Sequence, residues 1–390
     1  MTSYLACMGT RPEIIKMAPL YRALRARGHQ VRVLHTGQHA EIAEDLYAFF
    51  DMPPDARVQL QRQVPRLSHL TAELLVQIDN QVQELAPDVV LVQGDTSTAL
   101  AGAVAAYYND IPVAHVEAGL RTHERDPFPE EMNRSVIGRL ARWHFPPTAQ
   151  ATQNLLDEGI DGQRVHQVGN TVIDAALWAR DRVARQGAGK PMPLDVDSFM
   201  QQHRQAPLLL VTAHRRENWG RPMQRIAAAV GGLLQLHPSL AVVWPLHPNP
   251  QVQTDVHLGL SSLPAEAHAR LCLTQPLSYA PLIGVLERCC FTLTDSGGIQ
   301  EEASALQKPV LILRESTERQ ELVDAGGARL VGTMAHQIIE HASELLQDPL
   351  LRASMQLQTS PFGDGLAAQR IADVLCREGQ AQPSCERLAA

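Results

Sequence analysis

No run of apolar residues in this chain approaches the roughly 18 that a membrane span needs. The N-terminal piece "YLACM" is too short for the apolar heart of a signal peptide. The six cysteines, Cys7, Cys272, Cys289, Cys290, Cys376 and Cys385, form no CxxC pair and no regular framework, so a disulfide scaffold is not expected. No histidine spacing resembles a metal site, and no metal is predicted. An excess of positive charge is also missing: 34 Lys and Arg against 42 Asp and Glu leave a net charge of −8, which argues against a nucleic-acid surface. These absences describe a reduced, cytoplasmic protein with no membrane or nucleic-acid partner, whose ligands are small.

What is present is an alternation of short apolar runs with longer amphipathic segments. The first half carries "YLACM", "VRVLH", "DVVLVQG", "PVAHVE" and "RVHQVG"; the second carries "LLLVTA", "LAVVWPL", "FTLTD", "PVLIL" and "ARLVG". Runs rich in Val, Ile and Leu without internal polar alternation are the signature of strands buried on both faces of a parallel sheet. Ten of them in 390 residues are too many for one small domain, and predict an α/β protein of two Rossmann-like, doubly wound parallel-sheet domains. Residues 184–198, "ARQGAGKPMPLDVDS", are rich in Gly, Pro and Asp and are read as the linker. The domains are accordingly expected over residues 1–185 and 186–365.

In open α/β sheets ligands bind beyond the carboxyl ends of the strands. Those positions read "GTRPE" (Gly9 to Glu13), "GDTST" (Gly94 to Thr98) and "EAGLRT" (Glu117 to Thr122) in the first half. In the second they read "HRREN" (His214 to Asn218), "HPNP" (His247 to Pro250) and "DSGGIQEE" (Asp295 to Glu302). In the last of these a strand runs through Ser296, Gly297 and Gly298 into a helix, so backbone N–H groups and the positive end of a helix dipole suit a phosphate. The same residues also suit a plain helix start, with Asp295 or Ser296 as N-cap. Arg11, with Pro12 placed to open a helix and Lys16 about a turn further on, offers cations for a diphosphate. Glu302 is placed to accept from ribose hydroxyls. Asp95, Glu117, Glu130 and Glu131 converge on the first sheet's edge, where paired acids point to proton transfer. Each also has a structural reading: Asp95 as an N-cap, Glu117 as a partner of Arg121, and Glu130 or Glu131 as complements to a helix N-terminus.

The motifs "GTRPE", "GDTST", "HVEAGLRT", "PEEMNR", "GNTVID", "HRREN", "LTDSGGIQEE", "KPVL", "TER" and "GDG" occur in this order from Ser3 to about Leu375. In this order and at these spacings they resemble the non-hydrolysing UDP-N-acetylglucosamine 2-epimerases. The resemblance implies the two-domain GT-B arrangement, with the active site in the interdomain cleft, the catalytic acids mainly in the N-terminal domain and UDP mainly on the C-terminal one. It also implies a last helix near residues 366–378 that packs back onto the first domain, and a homodimer. Carried over residue by residue, Asp95, Glu117 and Glu131 match the acids implicated in proton handling, and His214 matches the histidine that stabilises the departing diphosphate. Arg11, Lys16, Ser296, Gly297 and Gly298 match phosphate or nucleotide contacts, Glu302 the ribose contact, and Arg319 a further binding arginine. The sequence departs from the family at Leu277 and Leu282, where a glutamine and an aromatic are common, and at Glu73, where many members carry an arginine of an activating substrate site.

The chemistry implied is inversion of carbon 2 of a nucleotide sugar whose proton no carbonyl acidifies. An enzyme must oxidise carbon 3 with a nicotinamide or expel UDP from carbon 1. After the first strand "YLACMGTRPE" has one glycine where a dinucleotide site needs three. No cofactor is expected, and elimination of UDP to a 2-acetamidoglucal followed by re-addition is the predicted route. The alternatives are a hydrolysing 2-epimerase that releases N-acetylmannosamine and UDP, an epimerase of a modified UDP-sugar, a GT-B glycosyltransferase, or a non-catalytic binding protein. The trio Asp95, Glu117 and Glu131 argues against the last two.

Overall fold

Uncharged apolar runs form the sheet centres. A computed structural model describes residues 1–37, 40–60, 66–186 and 192–379, and within it the chain divides into two compact units, Met1–Ala175 with the segment returning at Phe362, and Ala176–Pro361. In the first unit β1 (Ser3–Met8), β2 (Gln30–His35), β3 (Ala56–Arg57), β4 (Val89–Gln93), β5 (Val113–Val116) and β6 (Trp143–Phe145) pair in the order β3-β2-β1-β4-β5-β6. Every pairing is parallel, with Tyr4 of β1 facing Val31 on one side and Val89 on the other.

The second unit repeats the pattern. Strands β7 (Leu208–Thr212), β8 (Ala241–Pro245), β9 (Leu271–Thr274), β10 (Phe291–Thr294), β11 (Val310–Ile312) and β12 (Ala328–Leu330) lie in the order β12-β11-β10-β7-β8-β9, again all parallel. Counted from its own first strand, this is the order of the first sheet. All residues of β4, β5, β7 and β10 are buried, as expected where helices cover both faces. The doubly wound α/β class is therefore correct for each unit, and no helix among the described residues is long and apolar enough to cross a membrane.

Three details differ from the sequence reading. "RVHQVG" is not a strand: a 3-10 turn at Gly162–Arg164 leads into it and only Val165 bridges to His144. The sixth strand is instead "WHF", and β3 and β9 were not anticipated. The expected linker contains the start of a helix, Leu194–Gln202, while its residues 187–191 lie outside the described residues. The units divide at Ala175 and Ala176, inside the helix Thr171–Gln186.

The last helix, Ala367–Gly379, belongs to the first unit. Arg27, at the C-cap of the helix Arg11–Ala26, reaches Asp373 at 2.6 Å and Gln369 at 2.7 Å. Trp143 donates to Glu378, and His29 lies 3.0 Å from the Cys376 sulfur. The helix's first amides are capped from far along the chain: Ala367 and Ala368 donate to the two carboxylate oxygens of Asp174 at 3.3 and 2.9 Å. Burial pushes Asp174 up to about 6 from 3.8 despite those amides.

The cap yields a stability prediction. Asp174→Ala should cost about 1–2 kcal/mol in urea unfolding at pH 7, the usual loss for a helix cap. Because the folded chain holds the Asp174 proton up to about pH 6 while the ordinary value is 3.8, raising the pH across that window removes stability from the wild type. Asp174→Asn keeps an acceptor oxygen without the titration. Its stability relative to wild type should therefore rise between pH 4 and 7, as read from unfolding midpoints at each pH.

Candidate active site

In each sheet the strand order reverses beside the first strand, between β1 and β4 and between β7 and β10, and the loops leaving those strands carry the charged motifs. In the first unit Thr10 precedes the helix Arg11–Ala26, with Pro12 in its first turn. Three residues on, Glu13 is fully buried. Its carboxylate accepts from the amides of Gly9 and Thr10 at 3.0 and 2.7 Å and from the Thr10 hydroxyl at 2.8 Å. It also accepts from the Thr96 hydroxyl, in the loop after β4, at 2.6 Å. Burial raises Glu13 above the ordinary carboxylate value against these donors. One side chain thus joins the loops on both sides of the switch point.

Thr96, not Asp95, caps the helix Ser97–Tyr108, accepting from Ala99 N–H at 3.0 Å. The Asp95 side chain is partly buried, 26% exposed. Its backbone is held by Asn133, which donates to the Asp95 carbonyl at 2.8 Å. The neighbouring Gly94 carbonyl accepts at 2.8 Å from Nε2 of the buried His115, which burial pushes down to about 4 and so keeps neutral. Burial pushes Asp95 up to about 6, with Glu117 and Glu130 adding repulsion and Arg134, whose Nε lies 3.6 Å away, and Lys16 opposing. A carboxyl near 6 exchanges protons readily at neutral pH.

Glu117 follows β5 with φ +62, an uncommon conformation for a residue with a side chain. It is held there by amides: Glu117 and Ala118 N–H both donate to the Phe145 carbonyl, at 3.1 and 3.3 Å. The carboxylate is nearly buried, its side chain 8% exposed, and Lys16 Nζ sits 2.5 Å from Oε1. Asn170 Nδ2 donates to the same oxygen at 3.0 Å, and Gln93 Nε2 donates to Oε2. The geometry corrects one reading of the sequence. Arg121 pairs with Glu158 at 2.6 Å, not with Glu117. Lys16, matched from the sequence to a phosphate contact, is paired here with Glu117.

Glu131 lies in the first turn of the helix Glu130–Leu140, which suits a carboxylate. Its oxygens accept from Thr122 N–H at 3.2 and 3.1 Å and from His123 N–H at 3.0 Å, and Arg134 Nε lies 3.0 Å away. Burial pushes Glu131 up, but the Thr122 and His123 amides and Arg134 outweigh it and hold the carboxyl below its ordinary value. The three acids named from the sequence thus share one sheet edge in three different environments. Gln93, Asn133, Arg134 and Asn170, which hold them, were not identified.

The second unit carries a matching arrangement. Asp295, after β10, is fully buried. Its carboxylate accepts from His214 N–H at 3.1 and 2.9 Å, Arg215 N–H at 2.9 Å and Asn218 Nδ2 at 2.9 Å, all in the loop after β7. His214 Nδ1 lies 3.4 Å from Oδ1, which turns the half-exposed ring's other nitrogen outward. The His247 ring stacks nearly parallel, at 6.3 Å between centroids. Ser296 is the N-cap of the helix Gly297–Ala305, its hydroxyl 3.5 Å from Ile299 N–H, which settles the choice between Asp295 and Ser296.

Above this helix start lies Arg319. A Cβ on Gly297 would stand 3.3 Å from the guanidinium carbon, so glycine lets the cation approach the helix start. Glu301 holds it at 2.9 Å. Glu302, one turn along, is buried. Arg215 and Arg314 converge on Glu318 at 3.4 and 3.2 Å, beside Arg319 at 3.8 Å. Helix amides and guanidinium groups thus lie together at this strand end, the guanidinium groups paired with Glu301 and Glu318. Leu277 and Leu282 are both buried.

The family model described as UDP-N-acetylglucosamine 2-epimerase matches residues 22–376. A probable UDP-N-acetylglucosamine 2-epimerase of Ralstonia nicotianae is 42% identical over 373 residues, 95% of this chain and 98% of that protein. The UDP-N-acetylglucosamine 2-epimerase of Escherichia coli K12 is 41% identical over 380 residues, covering 95% and 97%. The crystal structure of UDP-GlcNAc 2-epimerase from Neisseria meningitidis bound to UDP-GlcNAc superposes with a TM-score of 0.84 at 35% identity, covering 96% of this chain and 100% of that one.

Removing the Asp295 carboxylate leaves two loop amides and Asn218 without their acceptor. Asp295→Ala is expected to lose about 3 kcal/mol in urea unfolding, and Asp295→Asn, which keeps one acceptor, measurably less.

Proposed function

The chain belongs to the UDP-N-acetylglucosamine 2-epimerase family, and we propose that it inverts carbon 2 by eliminating and re-adding UDP, not by hydrolysis. One observation carries this reading: Asp95, pushed by burial up to about 6, shares a sheet edge with a second carboxylate, Glu117, held by different groups. Inversion through a flat intermediate needs a proton carrier on each face, and two carboxylates in unlike environments supply them.

In the step proposed, one carboxylate takes the carbon 2 proton. The electron pair forms the C1–C2 double bond, and the bond from carbon 1 to the UDP oxygen breaks with its electrons on UDP. The product pair is 2-acetamidoglucal and UDP. In the return step the UDP oxygen adds to carbon 1 and the other carboxyl delivers its proton to the opposite face of carbon 2. UDP-N-acetylmannosamine results, with no net consumption of water.

The leaving diphosphate gathers charge, which preorganised donors stabilise. We assign this to the Gly297 and Gly298 amides, the Ser296 hydroxyl, Arg319 and His214, with Arg11 as a further cation and Glu302 on the ribose; the Ser296 amide already donates to the Thr294 hydroxyl at 3.0 Å. Lys16 is given a different role from the one inferred from sequence, because its ammonium is 2.5 Å from Glu117: it neutralises that carboxylate. Glu131 is assigned to hold the loop at Thr122 and His123, since its oxygens already accept those amides.

Proton NMR with UDP-N-acetylglucosamine in heavy water tests the proposal. UDP-N-acetylmannosamine with deuterium at carbon 2 is expected; free N-acetylmannosamine with stoichiometric UDP would overturn it in favour of hydrolysis. Asp95→Asn and Glu117→Gln should fold normally and lose about 10²–10⁴ in turnover. In the direction in which Asp95 abstracts the proton, kcat/KM should fall as pH drops through about 6, where an ordinary aspartate would titrate near 3.8.

A further inference from the structure

Asn170 stands where the chain passes three times through a small space. Its amide N–H donates to the Phe362 carbonyl at 2.7 Å. Beside it Gly169, at φ +96, has its missing Cβ position 3.3 Å from Gly363 Cα and 3.3 Å from the Phe362 oxygen. The Cβ position of Gly363 is in turn 3.4 Å from Asn170 N. The two segments therefore touch backbone to backbone, and a Cβ at Gly169 would crowd that contact. This contact joins the stretch that enters the helix Thr171–Gln186 to the stretch that returns from Pro361.

The Asn170 side chain has both ends engaged. Oδ1 accepts from Val172 N–H at 3.1 Å, as a helix cap does. That fixes which end is the donor, and Nδ2 points to Glu117 Oε1 at 3.0 Å, the oxygen that also receives Lys16. Asn170 is itself buried, so the hydrogen bond is shielded from competing water.

We propose that Asn170 is a positioning residue for Glu117, oriented by its helix cap and by the backbone contact with Phe362 and Gly363, so that the placement of the returning segment is passed to one of the two proton carriers. The inference rests on the reading of Glu117 as a proton carrier. It identifies a residue that would act through Glu117 without touching the substrate. Losing the Nδ2 donor removes one of three groups that hold the Glu117 carboxylate, leaving Lys16 and Gln93, while the second unit's site residues are left intact.

Asn170→Ser tests this, because serine caps a helix as well as asparagine does and only the donor to Glu117 is lost. Expected are a melting temperature close to wild type, KM within about threefold and kcat lower by about tenfold. One limb of the kcat/KM pH profile should also move up by about half a unit to one unit, while the limb near 6, belonging to Asp95, stays. In a Glu117→Gln background the same substitution should have little further effect. Gly169→Ala, whose Cβ would stand 3.3 Å from Gly363 Cα and from the Phe362 oxygen, should move the same limb in the same direction. A wild-type profile with unchanged kcat overturns the proposal. So does a loss of kcat with an unshifted profile, which marks a structural role only. Glu117→Gln assayed alone separates the two levels: near-normal turnover there removes Glu117 from the chemistry and the proposal with it, whereas an inactive Glu117→Gln beside an unshifted Asn170→Ser profile overturns only the role of Asn170.

Discussion

Each sheet depends on one carboxylate buried at the point where its strand order reverses. In the first unit Glu13, on the helix after β1, reaches the loop after β4 through Thr96. In the second, Asp295, after β10, reaches the loop after β7 through His214, Arg215 and Asn218. The direction is opposite but the two loops joined are the equivalent pair. A parallel sheet alone leaves such loops as separate excursions whose amides point outward. A charge placed among those amides must keep its donors, because an unpaired carboxylate there would be severely desolvated. The constraint holds the loops in one arrangement, and the candidate active-site residues are attached to them.

On that frame three acids of similar intrinsic strength diverge. Asp95 has its main chain anchored by Asn133 and, through the neighbouring Gly94, by His115, and its partly buried side chain is raised by that burial. Glu117 is clamped by an ammonium and two side-chain amides. Glu131 is turned inward onto backbone N–H groups and held low. Environment, not residue type, separates a group suited to exchanging protons from one suited to holding a loop. The same logic runs through the second unit, where Glu301 aims Arg319 across Gly297 and Asp295 aims His214.

Much of this was legible in the chain. Nine of the ten apolar runs are strands, because central strands are shielded on both faces and their composition shows it. The three strands that escaped notice, β3, β6 and β9, lie at sheet edges. They are only 2, 3 and 4 residues long, and β9 alternates buried with half-buried residues, so they carry little apolar signal. "RVHQVG" misled for the converse reason: its valines are apolar, but only Val165 makes a strand bridge. The buried Glu13 did have a local signature, Thr10 followed three residues later by an acid in a capping box. Asp295 had one as well, a charge closing an otherwise apolar strand.

Sequence alone determined the α/β alternation, the strand ends at which chemistry would gather and the family, since each is written in local composition and motif order. It could not assign partners. Lys16 and Glu117 are 101 residues apart in the chain, Asn170 and Glu117 are 53 apart, and Asp174 caps a helix 193 residues away. Which charges meet depends on strand order and register, and on the backbone crossing at Gly169 and Gly363. Those are properties of the packed sheet. The tertiary structure therefore decided that Lys16 pairs with an acid, that Arg121 belongs to Glu158, and that Asp95 and Glu131 at one sheet edge are shifted in opposite directions.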